Sequence, residues 1–246
     1  MDEKVLYEEL TPAEFRTRLA AAPIAYLPLG TLEYHGEHLP FGVDGIVPRE
    51  FFVQVARRVG GIVLPMMFMG PDSAHADPAG GEPFYGMECY WRLPKESWGK
   101  LDGNCYWQLD DHFQAQVCDV LKGLKRVGFK IVVAHGHAPS RSRFAQMAPF
   151  WEKDFGLRLM TCDAPEDQPG LLTDHGAWNE TSLMLHVRPD LVARDRLPPA
   201  EQRRGIWGKA APEYAEALVG WNTAESVAGR MEAILQKALA EVAHAA

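Results

Sequence analysis

The chain is short of cysteine, of positive charge and of long apolar runs, and each shortage excludes a class of protein. Its 246 residues include 4 cysteines, Cys89, Cys105, Cys118 and Cys162. None forms a Cys-x-x-Cys pair, which argues against thiolate zinc ribbons and thioredoxin-like redox chemistry. A chain of this length buries most of its apolar surface without staples, so a metal site is expected to serve chemistry rather than folding. The thiols are expected to be small buried apolar groups. Lys and Arg number 25 against 33 Asp and Glu, a formal charge of −8. A nucleic-acid partner would need a basic stripe, and none is expected. No apolar run reaches the roughly 18 residues of a membrane span, so no membrane partner is expected. The opening "MDEKVLYEEL" is acidic where a signal peptide is basic and then apolar, and the expected location is cytoplasmic.

What is present reads as alternating strands and helices. "IAYLPLG" (24–30), "GIVLPMM" (61–67), "KIVVAHGH" (130–137) and "LRLMTCD" (157–163) are short apolar runs expected to be buried strands. Helices are expected between them: one opening at Pro48, one over "DHFQAQVCDVLKGLKRVGF", and one around "RSRFAQMAPFWEKDFG" that Pro149 should bend or interrupt. "NETSLMLHV" and a C-terminal stretch from Trp221 complete the helical set. The alternation predicts an α/β fold with a largely parallel sheet, and no repeat or linker divides residues 1–246, so a single domain is expected. Residues 69–110 break the pattern with Gly, Pro and aromatics, which suggests a lid or pocket wall.

Ligand sites in such folds lie beyond the carboxyl ends of the strands, and three polar clusters fall there. "LPLGTLEYHGEHLPFGVDG" (27–45) carries Glu33 and His35 on one face of an extended stretch, with Asp44 nine positions later. Gly36, Pro40, Gly42 and Gly45 permit the fold-back that would bring Asp44 to them. Glu37 and His38 are read as a solvated turn. "AHGHAP" (134–139) places His135 and His137 around a glycine at a strand end. "TDHGAWNETS" (173–182) offers Asp174, His175 and Glu180, with Asn179 or Thr181 as alternative helix caps. Carboxylates and imidazoles in this mixture suit zinc, manganese or iron. Glu33, His35, Asp44, His137 and Glu180 are enough for two divalent ions sharing a carboxylate and a hydroxide nucleophile.

These segments resemble the creatininase (creatinine amidohydrolase) family. "PLGTLEYHGEHLPFGVD" matches its first signature nearly throughout, "VVAHGH" stands at its second, and "HGAWNETSLMLHVRPDLV" follows its third. The resemblance implies a three-layer α/β/α fold, a binuclear site for Zn, Mn or Fe, and a homohexamer. It makes Glu33, His35, Asp44 and His137 metal ligands with Asp44 the bridge, Glu180 a ligand or a carboxylate beside the metals, and His175 the proton donor; Asp174 is a further catalytic candidate, forming with His175 an acid-base pair that would suit a polyol ring. The implied reaction is hydrolysis of a cyclic or formyl amide in a small polar molecule; the alternative is C–C cleavage of a cyclic keto-inositol, and a metal-binding scaffold without catalysis is a third reading. Departures are concentrated in the pocket. His135 replaces the usual asparagine, and Pro139 offers no carboxylate. The pocket segment survives only as "PFYGM" (83–87), and residues 88–110 differ, with Trp91, Trp98, Tyr106 and Trp107 as possible walls. His135, Tyr85 and Trp178 are the candidate substrate contacts, and creatinine itself is not the expected substrate.

Overall fold

The computed structural model describes residues 4–165 and 168–244. In chain order, helix α1 (Pro12–Ala21) leads into strand β1 (Ile24–Leu29), helix α2 (Val43–Val59) and strand β2 (Ile62–Val63). A small hairpin of β3 (Ala74–His75) and β4 (Phe84–Tyr85) follows, then α3 (Asp110–Val127), β5 (Ile131–Gly136), α4 (Ala138–Phe155) and β6 (Arg158–Thr161). Helices α5 (Trp178–Val187) and α6 (Ala217–His244) close the fold.

The main sheet has the order β2-β1-β5-β6, all parallel. Alternate side chains of its central strands enter different cores, as the two-residue period of a strand requires. Ile24, Tyr26, Ile131 and Val133 face a core shared with α2, α5 and α6. Ala25, Leu27, Val132 and Ala134 face the other, shared with α3 and α4. Both faces are thus covered and the molecule is the expected α/β/α sandwich, with strands that are apolar on both sides. From β1 the chain steps to β2 on one side and then reaches β5 and β6 on the other. The order therefore reverses between β1 and β5, and loops leaving their carboxyl ends diverge to open a crevice.

Several boundaries differ from expectation. Helix α2 starts five residues before Pro48, with Ile46 N–H bonded to the Gly42 carbonyl. Buried Val47, Phe51 and Phe52 anchor the helix on both sides of the proline, offsetting the one missing N–H. Likewise α4 runs continuously across Pro149, held by Phe144 and Trp151 in the core. The second strand is only Ile62–Val63, because Pro65 has no N–H for the ladder, which resumes where Met67 bonds to Pro28 and Gly30. Helix α6 begins at Ala217, four residues before Trp221. Of the cysteines, Cys89 and Cys162 are buried, whereas Cys105 is exposed and Cys118 half-buried. No helix among the described residues is long and apolar enough to cross a membrane.

Candidate metal centre

The site assembles at the crevice between β1 and β5. After β1 the chain loops out and is closed on itself by Glu33 N–H donating to the Phe41 carbonyl at 3.0 Å. That closure starts α2 early and puts Asp44 in its first turn, facing back towards Glu33 and His35. Across the sheet, Leu29 pairs with Gly136, and His137 N–H donates to the Leu29 carbonyl at 2.7 Å. Glu180 arrives from the first turn of α5. The loop before it is pinned by reciprocal backbone bonds between His175 and Trp207, at 2.7 and 2.8 Å.

Side-chain geometry gives these residues a common focus. His35 Nδ1–H donates to the Glu33 carbonyl at 2.8 Å, which leaves the Nε2 lone pair aimed inward. It lies 3.5 Å from Asp44 Oδ2 and 3.6 Å from Glu180 Oε2. His137 Nε2 lies 3.4 Å from Glu33 Oε2. Three triads of potential ligand atoms result: His35–Asp44–Glu180 and Glu33–Asp44–His137, which share Asp44, and Glu33–His35–His175. Glu33 Oε2, His35 Nε2 and Asp44 Oδ2 are buried and have no hydrogen-bond partner. Leaving such atoms unpaired costs about 1–3 kcal/mol each or more when charged, and a cation among them would satisfy all three. Ligands about 2.0–2.2 Å from a tetrahedral ion stand about 3.3–3.6 Å apart, which is the spacing observed. The donor set fits divalent metal.

The electrostatics agree. Burial opposes the charge on His35, yet Asp44 and Glu180 outweigh it and raise the imidazole to about 10. Burial likewise opposes charge on His137, which Glu33 and then Asp72 raise to about 9. Burial would raise the Glu33 carboxyl, but His175, His137 and His35 hold it at about 2. Asp44 is depressed in the same way, mainly by His35 against the effect of burial. Glu180 is raised instead, by burial above all; its Oε2 accepts the Gly176 N–H at 2.7 Å. Without an ion, protons on the two imidazoles do the neutralising. A divalent cation would displace them.

The family model described as "Creatininase: Creatinine amidohydrolase" matches residues 8–86 and 105–246. The chain belongs to the creatininase family. It is 30% identical to the creatinine amidohydrolase of Pseudomonas putida over 225 residues, covering 81% of this chain and 79% of that protein. Among solved structures, a mutant creatininase of Zn–Zn type superposes with a TM-score of 0.71 at 21% identity, covering 96% of this chain and 99% of that one. A creatininase structure with Mn gives 0.68 at 24% identity, covering 96% and 99%. Both likenesses confirm the creatininase fold.

Around the centre, the structure sorts the remaining candidates. His175 stacks on His35 with ring centroids 4.0 Å apart, and its Nδ1 lies 3.9 Å from Glu33 Oε2. Its Nε2–H donates to the Tyr34 carbonyl at 2.7 Å, so Nδ1 is the proton-accepting atom. Burial first, then the charge on His35, lowers it to about 4. His175 is therefore neutral at pH 7 and must take a proton before it can give one. Asp174 borders the cavity, but both its oxygens cap α5, accepting N–H of Asn179 at 2.7 Å and Glu180 at 3.1 Å. That role was expected of Asn179 or Thr181; Asn179 instead accepts from Thr173 N–H, and Thr181 meets His38. His38 is 2% exposed, with Nε2 2.9 Å from Thr181 Oγ1, so it is an interior strut rather than part of a solvated turn. Glu37 does remain at the surface, accepting from Tyr34.

A cavity of about 1030 Å³ leads to the centre. The candidate substrate contacts His135 and Trp178 both line it, and His135 is fully buried with Nε2–H donating to the Leu171 carbonyl at 3.0 Å. Tyr85 does not line it: the ring stacks on Trp107 at 3.8 Å, away from the opening. Of the four aromatics expected as walls, Trp91 alone takes part; Trp98 borders a separate cavity with His75, and Tyr106 and Trp107 border neither. Sequence reasoning missed Tyr90, Trp207, Arg141 and Asp72, all on this wall. None carries a spacing signal, since each reaches the cavity from its own loop or helix.

Proposed function

We propose that the chain is a divalent-metal-dependent hydrolase acting on the C–N bond of a small polar cyclic or formyl amide other than creatinine. The observation that carries it is the pair of buried triads joined at Asp44, in which Glu33 Oε2, His35 Nε2 and Asp44 Oδ2 have no hydrogen-bond partner. Glu33, Asp44 and His137 would hold one ion, and His35, Asp44 and Glu180 the other. Two such ions supply Lewis acidity, lowering the pKa of water and polarising a carbonyl. The protein supplies the proton path. His175 Nδ1 faces Glu33, and the Nε2 bond to Tyr34 fixes both tautomer and ring. It accepts the proton released by the attacking water and returns it to the departing nitrogen, for which its neutral resting state suits it. Trp91, Trp178 and Trp207 offer flat apolar walls, and Arg141, paired with Asp163 at 2.9 Å, a polar one.

The departure from creatinine rests on where that wall comes from. Met87, Tyr90 and Trp91 lie in residues 87–104, the stretch the family model leaves unmatched. The centre is family-like and one wall of the approach is not. Divalent metal should copurify with the protein, and a panel of lactams, formamides, creatinine and cyclic keto-inositols should show amide turnover that Asp44→Asn abolishes. A folded protein that binds no divalent ion, or whose turnover ignores chelators, would overturn the proposal. Turnover confined to the keto-inositols would move the reaction to a C–C bond at the same centre.

A further inference from the structure

We propose that Asp72 is an additional ligand of the ion held by Glu33, Asp44 and His137, delivered from the loop ahead of the β3–β4 hairpin. The inference rests on the metal-dependent reading above and deepens it.

Three observations place the carboxylate. Asp72 Oδ2 is 3.9 Å from His137 Nε2, against 3.4–3.6 Å for the ligand edges of the two triads. Asp72 is in none of the groups whose ligand atoms all lie within 4.8 Å of one another, so ligation requires its side chain to swing inward. Oδ1 is occupied, accepting the Ser73 N–H at 2.7 Å, which turns Oδ2 towards the centre. The side chain is 10% exposed, on the wall of the same cavity.

The backbone around it is shaped for this approach. Gly86 has φ +53, and a Cβ there would lie 2.2 Å from Asp72 Oδ2 and 2.7 Å from Glu33 Oε1. Only a residue without a side chain lets the two carboxylates converge at that point. Gly86 N–H is bonded to the Ser73 carbonyl at 3.0 Å, tying the hairpin to the residue beside Asp72. At the other end of the loop, a Cβ on Gly70 would lie 2.2 Å from Ser140 Oγ and 3.1 Å from His137 Nδ1. The loop thus lies directly against His137. From the His137 side no further ligand is available, because α4 begins there with Ala138 and Pro139. An extra buried carboxylate beside Glu33 and Asp44 is costly unless a cation lies between them, and a divalent ion is what offsets it.

The test uses Asp72→Asn, which keeps the Oδ1 acceptor for Ser73, alongside wild type and Asp44→Asn. Each is stripped with chelator and titrated with Mn²⁺ by calorimetry, and the Co²⁺ visible spectrum is recorded for each. Wild type should bind two ions. Asp72→Asn should weaken one of them by about ten-fold or more and change the Co²⁺ band, leaving the other ion unaffected; Asp44→Asn should weaken both. Thermal melting separates ligation from a merely structural role. Stripped Asp72→Asn should melt no lower than stripped wild type, while gaining less from Mn²⁺; a structural residue would lower both melts. Asp72→Ser is read the same way if the asparagine variant does not fold. Two ions of unchanged affinity and an unchanged Co²⁺ spectrum would overturn the role of Asp72 and leave the metal-dependent reading standing. Wild type binding no Mn²⁺ and no Co²⁺ would remove both.

Discussion

Two buried histidines a few residues apart in the same loop have opposite tasks, and the difference lies in what each nitrogen faces. His35 directs its Nε2 at two carboxylates; His38 spends its Nε2 on Thr181 in α5. His38→Ala should therefore cost about 1–3 kcal/mol, by unpairing Thr181 in the interior, without changing metal stoichiometry. Urea denaturation and metal analysis check the pair of outcomes. His38 also has a pH signature. Burial, reinforced by the charges of His35, Arg203 and Arg194, depresses it to about 4, against an ordinary value of 6.5. The unfolded chain takes up that proton first, so stability is full above pH 6.5 and declines as pH falls towards 4. Melting curves should show a shallower acid decline in His38→Gln than in wild type. For His175 the expected outcome concerns rate: His175→Asn should lower turnover by about 10²–10⁴ while bound metal stays constant. If metal content falls instead, the imidazole is a ligand and not the proton carrier.

At the level of elements, the site depends on how closely the ends of β1 and β5 approach. Gly136 closes β5 with φ +152, and a Cβ there would sit 1.9 Å from the Leu29 carbonyl oxygen. That oxygen also receives the His137 N–H. Gly136→Ala must force the strand ends apart, separating His137 from the Glu33 and Asp44 side of the site. The expected cost is about 1–3 kcal/mol or more, accompanied by loss of metal affinity, measured by melting and calorimetry on the same sample. Helix α5 contributes by its start: Asp174 caps it, so its first turn presents Glu180 in a defined direction. Asp174 therefore acts on the centre through the orientation of its neighbour.

For the whole molecule, the proposed metal ions and protons would compete for one buried cluster. In the metal-free protein His35 and His137 hold protons up to about 10 and about 9, against 6.5 when unfolded. The folded state thus binds more protons than the unfolded one above pH 6.5, and metal-free stability falls as pH rises through that window. Divalent ions need both imidazoles deprotonated, so their affinity climbs with pH. The rise in melting temperature on adding Zn²⁺ or Mn²⁺ should consequently grow between pH 6.5 and 9. A shift that is flat over this range would show that these histidines do not yield protons to metal.

The sequence by itself determined the layered fold and most of the centre, because both are written in local patterns. Strands buried on two faces are continuous apolar runs, and Glu33, His35, Asp44, His137, His175 and Glu180 sit in compact motifs whose order survives folding. It also showed that the pocket departs from the family. What only the tertiary structure decided depends on close approach between distant segments. Helix α2 starts at Val43 rather than Pro48 because a loop closure to Phe41 outweighs the proline's preference. Tyr85 faces Trp107 rather than the cavity, and His38 is interior, because packing chooses a side chain's face where no periodicity marks it. Asp72, an isolated acid in a glycine- and proline-rich stretch, reaches the centre because Gly70 and Gly86 let that loop lie against His137 and Glu33. Such proximity arises from long-range packing, and the spacing of residues along the chain carries no trace of it.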